Sequence, residues 1–173
     1  MSGTQIRWPL LENVILRGKI GTFGAVRDGG KRAHYGWDLY ATPGTICLAV
    51  DDGVVTRREY SSSYGNVVDV KLNTKINGQP VFARYAHLSS FMVHYGQNVA
   101  KGGIIGYTGN TGNAKTMKGL NQHLHFELMA KGRPASGLAG LAWGQRYNPA
   151  DIYGIAPLNQ RVYDCWSQLI GIK

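Results

Sequence analysis

The stretch NQHLHFE, residues 121–127, sets two histidines either side of one leucine in a chain that has only five histidines. Side chains alternate faces along a strand. Extended backbone therefore puts His123, His125 and Glu127 on one face, and Leu124, Phe126 and Leu128 on the other. The apolar set reads as core and the polar set as convergent on a cleft. Two imidazoles at i and i+2 on a strand differ from H-E-x-x-H, which needs a helix to bring its histidines together. A pair of surface histidines on an ordinary strand is the plainer reading. A metal site requires further ligands elsewhere, because two imidazoles rarely complete one.

Such ligands are present in AHYGWDLYA, residues 33–41. His34, Gly36 and Asp38 share one face of an extended segment, while Tyr35, Trp37 and Leu39 take the other. Gly36 is expected to keep the space before a ligand clear. One histidine and one aspartate from here, with one histidine of the pair, make three N/O ligands. That leaves the fourth position of a tetrahedral zinc open to water, as catalytic zinc requires. His87, in RYAHLSS, has the parity of Tyr85 and is placed to reach the same cleft. His94, before a Tyr-Gly-Gln turn, is assigned to the surface.

Outward from these stretches the chain reads as short strands and tight turns. WDLYA, TICLAV and VVTRREY are separated by Pro43-Gly44 and by Asp51-Asp52-Gly53. SYGNVVDVKL and PVFARYAHL flank Asn77-Gly78, a hairpin signal. VAKGGIIGYTGNTG is a further turn and strand; no G-K-[ST] follows its glycines, so it reads as a hairpin and not a phosphate loop. HLHFELMAKGRP closes the series, with Lys131-Gly132 as its turn. Helices are expected only at SSFMVHYG (89–96) and RVYDCWSQLIG (161–171), and ILRGKIGTFGAV offers one or two short strands. The expected fold is mainly β, a single-domain antiparallel β-sheet with Gly-rich hairpins and a few short helices. Residues 1–173 read as one catalytic domain, with a core over about 20–150, a lead-in at 1–19 and a C-terminal decoration at 151–173.

The net charge is +9, from 19 Lys and Arg against 10 Asp and Glu. Such a surface favours an anionic partner: nucleic acid, a membrane or a cell wall. The basic residues are scattered and no RNP-type or zinc-finger pattern occurs, which counts against nucleic acid. No stretch approaches the roughly 18 apolar residues of a membrane span. Cys47 and Cys165 stand far apart, and a disulfide and two free thiols are both open; the lack of C-x-x-C argues against a thiolate zinc site. MSGTQIRWPLLENVILRGK contains no signal-peptide apolar region.

These stretches resemble the lysostaphin-type (LytM-like) peptidoglycan endopeptidases, zinc metallopeptidases that cut peptide links in bacterial cell walls. The resemblance spans roughly residues 20–150 and rests on HYGWD, TPGTICLAVDDGVV, YGNVVDV, RYAHLS, VAKGGIIGYTGNTG and HLHFE, in that order. It implies one zinc ion with ligands His34, Asp38 and His125, and catalytic roles around a zinc-activated water for His87 and His123. Glu127 and Asn121 are candidates to support the ligands. The run NAKTMKGLNQ (113–122) is longer than the family leads one to expect and should border the cleft. The tail GIAPLNQRVYDCWSQLIGIK carries no assignable function, with Trp166 and Leu169 expected to pack on the domain.

The resemblance further implies peptidoglycan as substrate and the periplasm or cell wall as site of action. Without a recognised leader, three readings stand: an antibacterial toxin delivered by a specialised secretion system and matched by a cognate immunity protein, a lytic enzyme released at lysis, or a mature domain relieved of its signal. The bond cut is either a D,D-crosslink containing diaminopimelate or a glycine-rich bridge. Two other classes compete. A non-catalytic wall-binding or regulatory module on the same fold would lack zinc, and a basic nucleic-acid binder would show salt-sensitive binding without hydrolysis.

Overall fold

A computed structural model describes residues 6–130 and 146–164. The strands are β1 (Glu12–Asn13), β2 (Gly24–Arg27), β3 (Arg32–His34), β4 (Trp37–Tyr40), β5 (Ile46–Leu48), β6 (Gly53–Ser61) and β7 (Gly65–Ile76). They continue with β8 (Gln79–Phe91), β9 (Asn98–Val99), β10 (Ile104–Thr108), β11 (His123–Met129), β12 (Arg146–Tyr147) and, after the short helix α1 (Pro149–Tyr153), β13 (Val162–Tyr163). Nine of them, β4 to β12, form one sheet in which the paired strands run antiparallel, as the alternating sequence predicts.

The long strands β6, β7 and β8 make a meander. Asn77 and Gly78 join β7 to β8 with φ of 50° and 74°. Positive φ at both positions gives a two-residue turn whose twist matches that of the strands. The other edge of β8 is shared. Phe82–Ala86 pair with β11, and Leu88, Ser90 and Phe91 with β10. The change of partner falls at His87, where the register with β7 also shifts.

Register sorts the residues by face. Leu124 and Phe126 of β11 stand opposite Leu39 and Trp37 of β4, and Phe126 and Leu128 opposite Tyr85 and Ala83 of β8. All are fully buried in one core. Burying such apolar side chains contributes about 1.5–3 kcal/mol each. The reverse face of the sheet carries Asp38, Asp69, Arg84, His125 and Glu127, and these too are buried. In β11 all seven residues are buried, so its alternation separates two interiors.

The residues expected as lead-in supply Leu10 and Ile15 to the core. Trp8 stacks against Trp37 and Tyr153, with centroids 5.8 and 4.2 Å apart, and β1 pairs with β13. Asp164 accepts from the Arg7 guanidinium and from the Trp8 backbone N–H at 3.1 Å. Cys47 is buried in the core, while Cys165, Trp166, Leu169 and the Lys131-Gly132 turn lie outside the described residues.

Three expectations need correction. SSFMVHYG is not a helix: Ser89–Phe91 continue β8, because β10 offers backbone partners there, and Met92–Gly96 turn. In RVYDCWSQLIG, Val162–Tyr163 form a strand against β1, and residues from Cys165 on are outside the described set. The glycine-rich run after β10 is a loop and not a hairpin, since β10 and β11 do not pair but each pair with β8. Its Gly112 and Gly65 touch so closely that a Cβ on Gly112 would come within 2.2 Å of the Gly65 nitrogen. The unexpected helix α1 follows an Asn148 cap, has Pro149 in its first turn and stops at Gly154 with φ 74°.

Candidate metal centre

Asp38 of β4 and His125 of β11 are direct cross-strand partners, and His34 ends β3 four residues before Asp38. These three bring one ligand atom each to a common point. His34 Nε2 lies 3.0 Å from Asp38 Oδ1 and 3.1 Å from His125 Nδ1, and that nitrogen is 3.0 Å from Asp38 Oδ1. The space in front is not owed to Gly36, as its spacing suggests. A Cβ at Gly36 would come within 2.1 Å of the Phe126 carbonyl oxygen, so the glycine admits the backbone of β11.

The outward nitrogens fix the ring orientations. His34 Nδ1 donates to the Thr22 carbonyl at 2.7 Å, because a carbonyl can only accept. His125 Nε2 donates to Glu127 Oε1 at 2.9 Å. Each ring then turns a lone pair toward the triangle, and Asp38 adds an anionic oxygen. Three close N/O donors on rigid backbone, with second hydrogen bonds setting the imidazoles, suit a zinc ion with bonds of about 2.0–2.2 Å.

Both carboxylates, the donor Asp38 and the supporting Glu127, are held by arginines. Asp38 Oδ2 accepts from Arg17 Nη1 and, at 2.8 Å, from Arg27 Nη2. Burial opposes its charge, yet in the metal-free protein the imidazoles of His125 and His34 beside it hold it well below the usual carboxylate range. Glu127 accepts from Tyr64 Oη at 2.7 Å and Arg146 Nε at 2.9 Å, with Arg84 Nη1 at 3.4 Å. Arg84 also forks onto Asp69 at 2.8 and 2.7 Å. A buried row of charge thus crosses β7, β8, β11 and β12 behind His125. Against its burial, His125 and the two arginines bring Glu127 down to about 2.

His87 and His123 face the triangle. His87 Nδ1 donates to the Thr111 carbonyl at 2.8 Å, and His123 Nδ1 to the Asn121 carbonyl at 2.7 Å. Nε2 is left as the basic nitrogen of each ring. The rings meet edge to face at 5.2 Å, and His123 Nε2 is 3.4 Å from Asp38 Oδ1. Burial, then the neighbouring His125, lowers His87 to about 3; burial also lowers His123. Both are neutral at pH 7. His87 has φ 62°, a conformation costly for a side chain with a Cβ, where the strand shifts register to aim the ring at the cleft.

A cleft of about 330 Å³ opens over these groups, with Asn113 and Met117 on its border, as expected for the long loop. Asn121 supports His123 through its carbonyl and not its side chain, which is exposed, and His94 is exposed as assigned. Arg17, Arg27, Tyr64 and Arg146 carry no signal in spacing. Asp69 and Arg84 do, since each interrupts an apolar run in VVDV and VFARYA.

The fold and the donor triangle agree with known proteins. Residues 32–136 match the family model of Peptidase family M23. The chain belongs to that family. Within M23, peptidoglycan DD-endopeptidase ShyA of Vibrio cholerae is 35% identical over 105 residues, 61% of this chain and 22% of that protein. DD-carboxypeptidase/endopeptidase Mpg of Neisseria meningitidis is 33% identical over 141 residues, 82% of this chain and 30% of its own. The catalytic domain of the antimicrobial peptidase lysostaphin from Staphylococcus simulans superposes with a TM-score of 0.58 at 27% identity, over 80% of this chain and 90% of that one. The chain spans less than a third of the length of these two curated relatives. M23 metallopeptidases are zinc-dependent, and the described residues include a His/Asp/His cluster of the matching kind.

Proposed function

We propose that this chain is a zinc-dependent peptidoglycan endopeptidase, with one zinc held by His34, Asp38 and His125 and with His87 and His123 as its catalytic histidines. The observation that carries the reading is the donor triangle facing two neutral imidazoles whose Nδ1 atoms are each tied to a carbonyl. Zinc bound there supplies a Lewis acid for the scissile carbonyl and acidifies a water. The chain's own work is positioning and proton transfer. Nε2 of His87 or His123 accepts a proton from the attacking water, and an imidazolium Nε2 returns one to the leaving amine nitrogen. Glu127 keeps His125 in the tautomer that leaves Nδ1 bare.

The likeness to the DD-endopeptidase ShyA and the DD-carboxypeptidase/endopeptidase Mpg supports a D,D-peptide bond as the one cut. The test is metal content together with peptidoglycan digestion, on the purified chain and on His125→Ala. We expect about one zinc per chain and new muropeptides, both lost in the variant, with product masses naming the bond. Zinc without products from any wall would leave an enzyme awaiting its proper substrate or activator, whereas the absence of both zinc and products would overturn the reading in favour of the non-catalytic module.

A further inference from the structure

We infer that the cleft recognises a free carboxylate on its peptide substrate through Arg17, Arg27 and Arg32, an inference that rests on the endopeptidase reading above. All three line the cleft on the His34 side. The register of β2 with β3 sets Arg27 directly opposite Arg32. Like charges so placed destabilise a strand pair. Arg17 crowds the same point, because it and Arg27 share the single oxygen Asp38 Oδ2.

The carboxylates present offset only part of this charge. Those lining the cleft are Asp38 and Glu127. Asp38 already serves two guanidiniums and the metal donor set, and Glu127 is enclosed by His125, Tyr64, Arg84 and Arg146. Arg32 pairs with Asp28 at 2.7 Å, but the two side chains are 59% and 61% exposed. Exposed pairs of that kind contribute little. A cluster of arginines held together at a cost, on one wall of a peptide cleft, is relieved by an anion. The planar guanidinium matches a carboxylate above all. The substrate is therefore a peptide bearing a carboxylate beside the scissile bond, and a neutral bridge would leave the excess positive charge of this wall unmet.

The experiment takes the zinc-loaded chain and one cross-linked peptide in three forms: free acid, C-terminal amide and side-chain amide. We expect one amidation to raise KM about tenfold, the effect of losing a charge-assisted hydrogen bond. Which amidation does so tells a terminal from a side-chain carboxylate. Arg32→Gln should reduce that preference to about twofold or threefold. Arg161→Gln removes the same charge from the exposed Arg161–Glu12 pair and should retain the preference. Equal KM for all three forms in the parent, or a full preference in Arg32→Gln, would overturn the inference while leaving the endopeptidase reading intact. If no peptide is turned over, that reading fails instead, and calorimetric binding of the three forms decides this one: a free acid bound no tighter than its amides overturns it.

Discussion

His125 Nε2 and Glu127 Oε1 lie 2.9 Å apart, two residues along one strand and on the same face of it. When the ring is neutral, the contact commits His125 to a single tautomer with Nδ1 bare toward His34 and Asp38. Glu127→Gln keeps the shape and loses the charge. Zinc affinity should fall about 10–100-fold, as when such supporting partners are removed elsewhere. Competition with a chromogenic chelator measures it, and unchanged affinity would mean that Glu127 only fills space.

Zinc uptake should depend on pH. Burial disfavours charge on His125, but Asp38 and Glu127 push it up to about 9 in the metal-free protein. A raised value means that the ring keeps its extra proton below pH 9, and zinc needs that nitrogen bare. Apparent affinity should therefore weaken as pH falls from 9 to 7, by up to about tenfold per unit. Calorimetry in buffers of different ionisation enthalpy should find a proton released on binding at pH 7.

The two pairs of histidine roles separate by metal content. His87→Ala and His123→Ala should retain zinc while turnover drops about 10²–10⁴-fold, the range for a lost general acid or base. His34→Ala should lose both. Loss of zinc from the His87 variant would move that residue into the ligand set.

Arg84 is fully buried between Asp69 and Glu127. Arg84→Met leaves two carboxylates facing each other without their shared cation, and should destabilise the fold by about 3–5 kcal/mol. Urea unfolding reads this directly. A loss under about 1 kcal/mol would show the row to be dispensable.

Gly36→Ala should cost stability although Gly36 is itself no ligand. Its Cβ would meet the Phe126 carbonyl oxygen at 2.1 Å, so β11 must shift. A loss of about 1–3 kcal/mol is expected from such overpacking, and a thermal melt that matched the parent would refute the close approach.

Alternation alone determined much of this protein. The period-two pattern of HLHFEL separates His125 and Glu127 from Leu124 and Phe126 before any partner strand is known, because the pleat of a strand is local. The Asn77-Gly78 turn was legible for the same reason, since positive φ at two successive residues selects those side chains. HYGWD, RYAHLS and HLHFE carried the five proposed site residues as short stretches in a recognisable order. SSFMVHYG was misread because the partner that makes it a strand, β10, comes later in the chain.

Only the tertiary structure decided what stands behind and beside the site. Arg17 and Arg27 reach Asp38 from outside its own strand, and the row from Asp69 through Arg84 to Glu127 and Arg146 exists only once four strands are in register. It also decided how His87 is aimed, through a change of strand partner that no single segment contains. The physical reason is range. A pleat or a two-residue turn is set by neighbouring dihedrals, whereas a buried charge takes its partner from whatever the fold brings within hydrogen-bond distance.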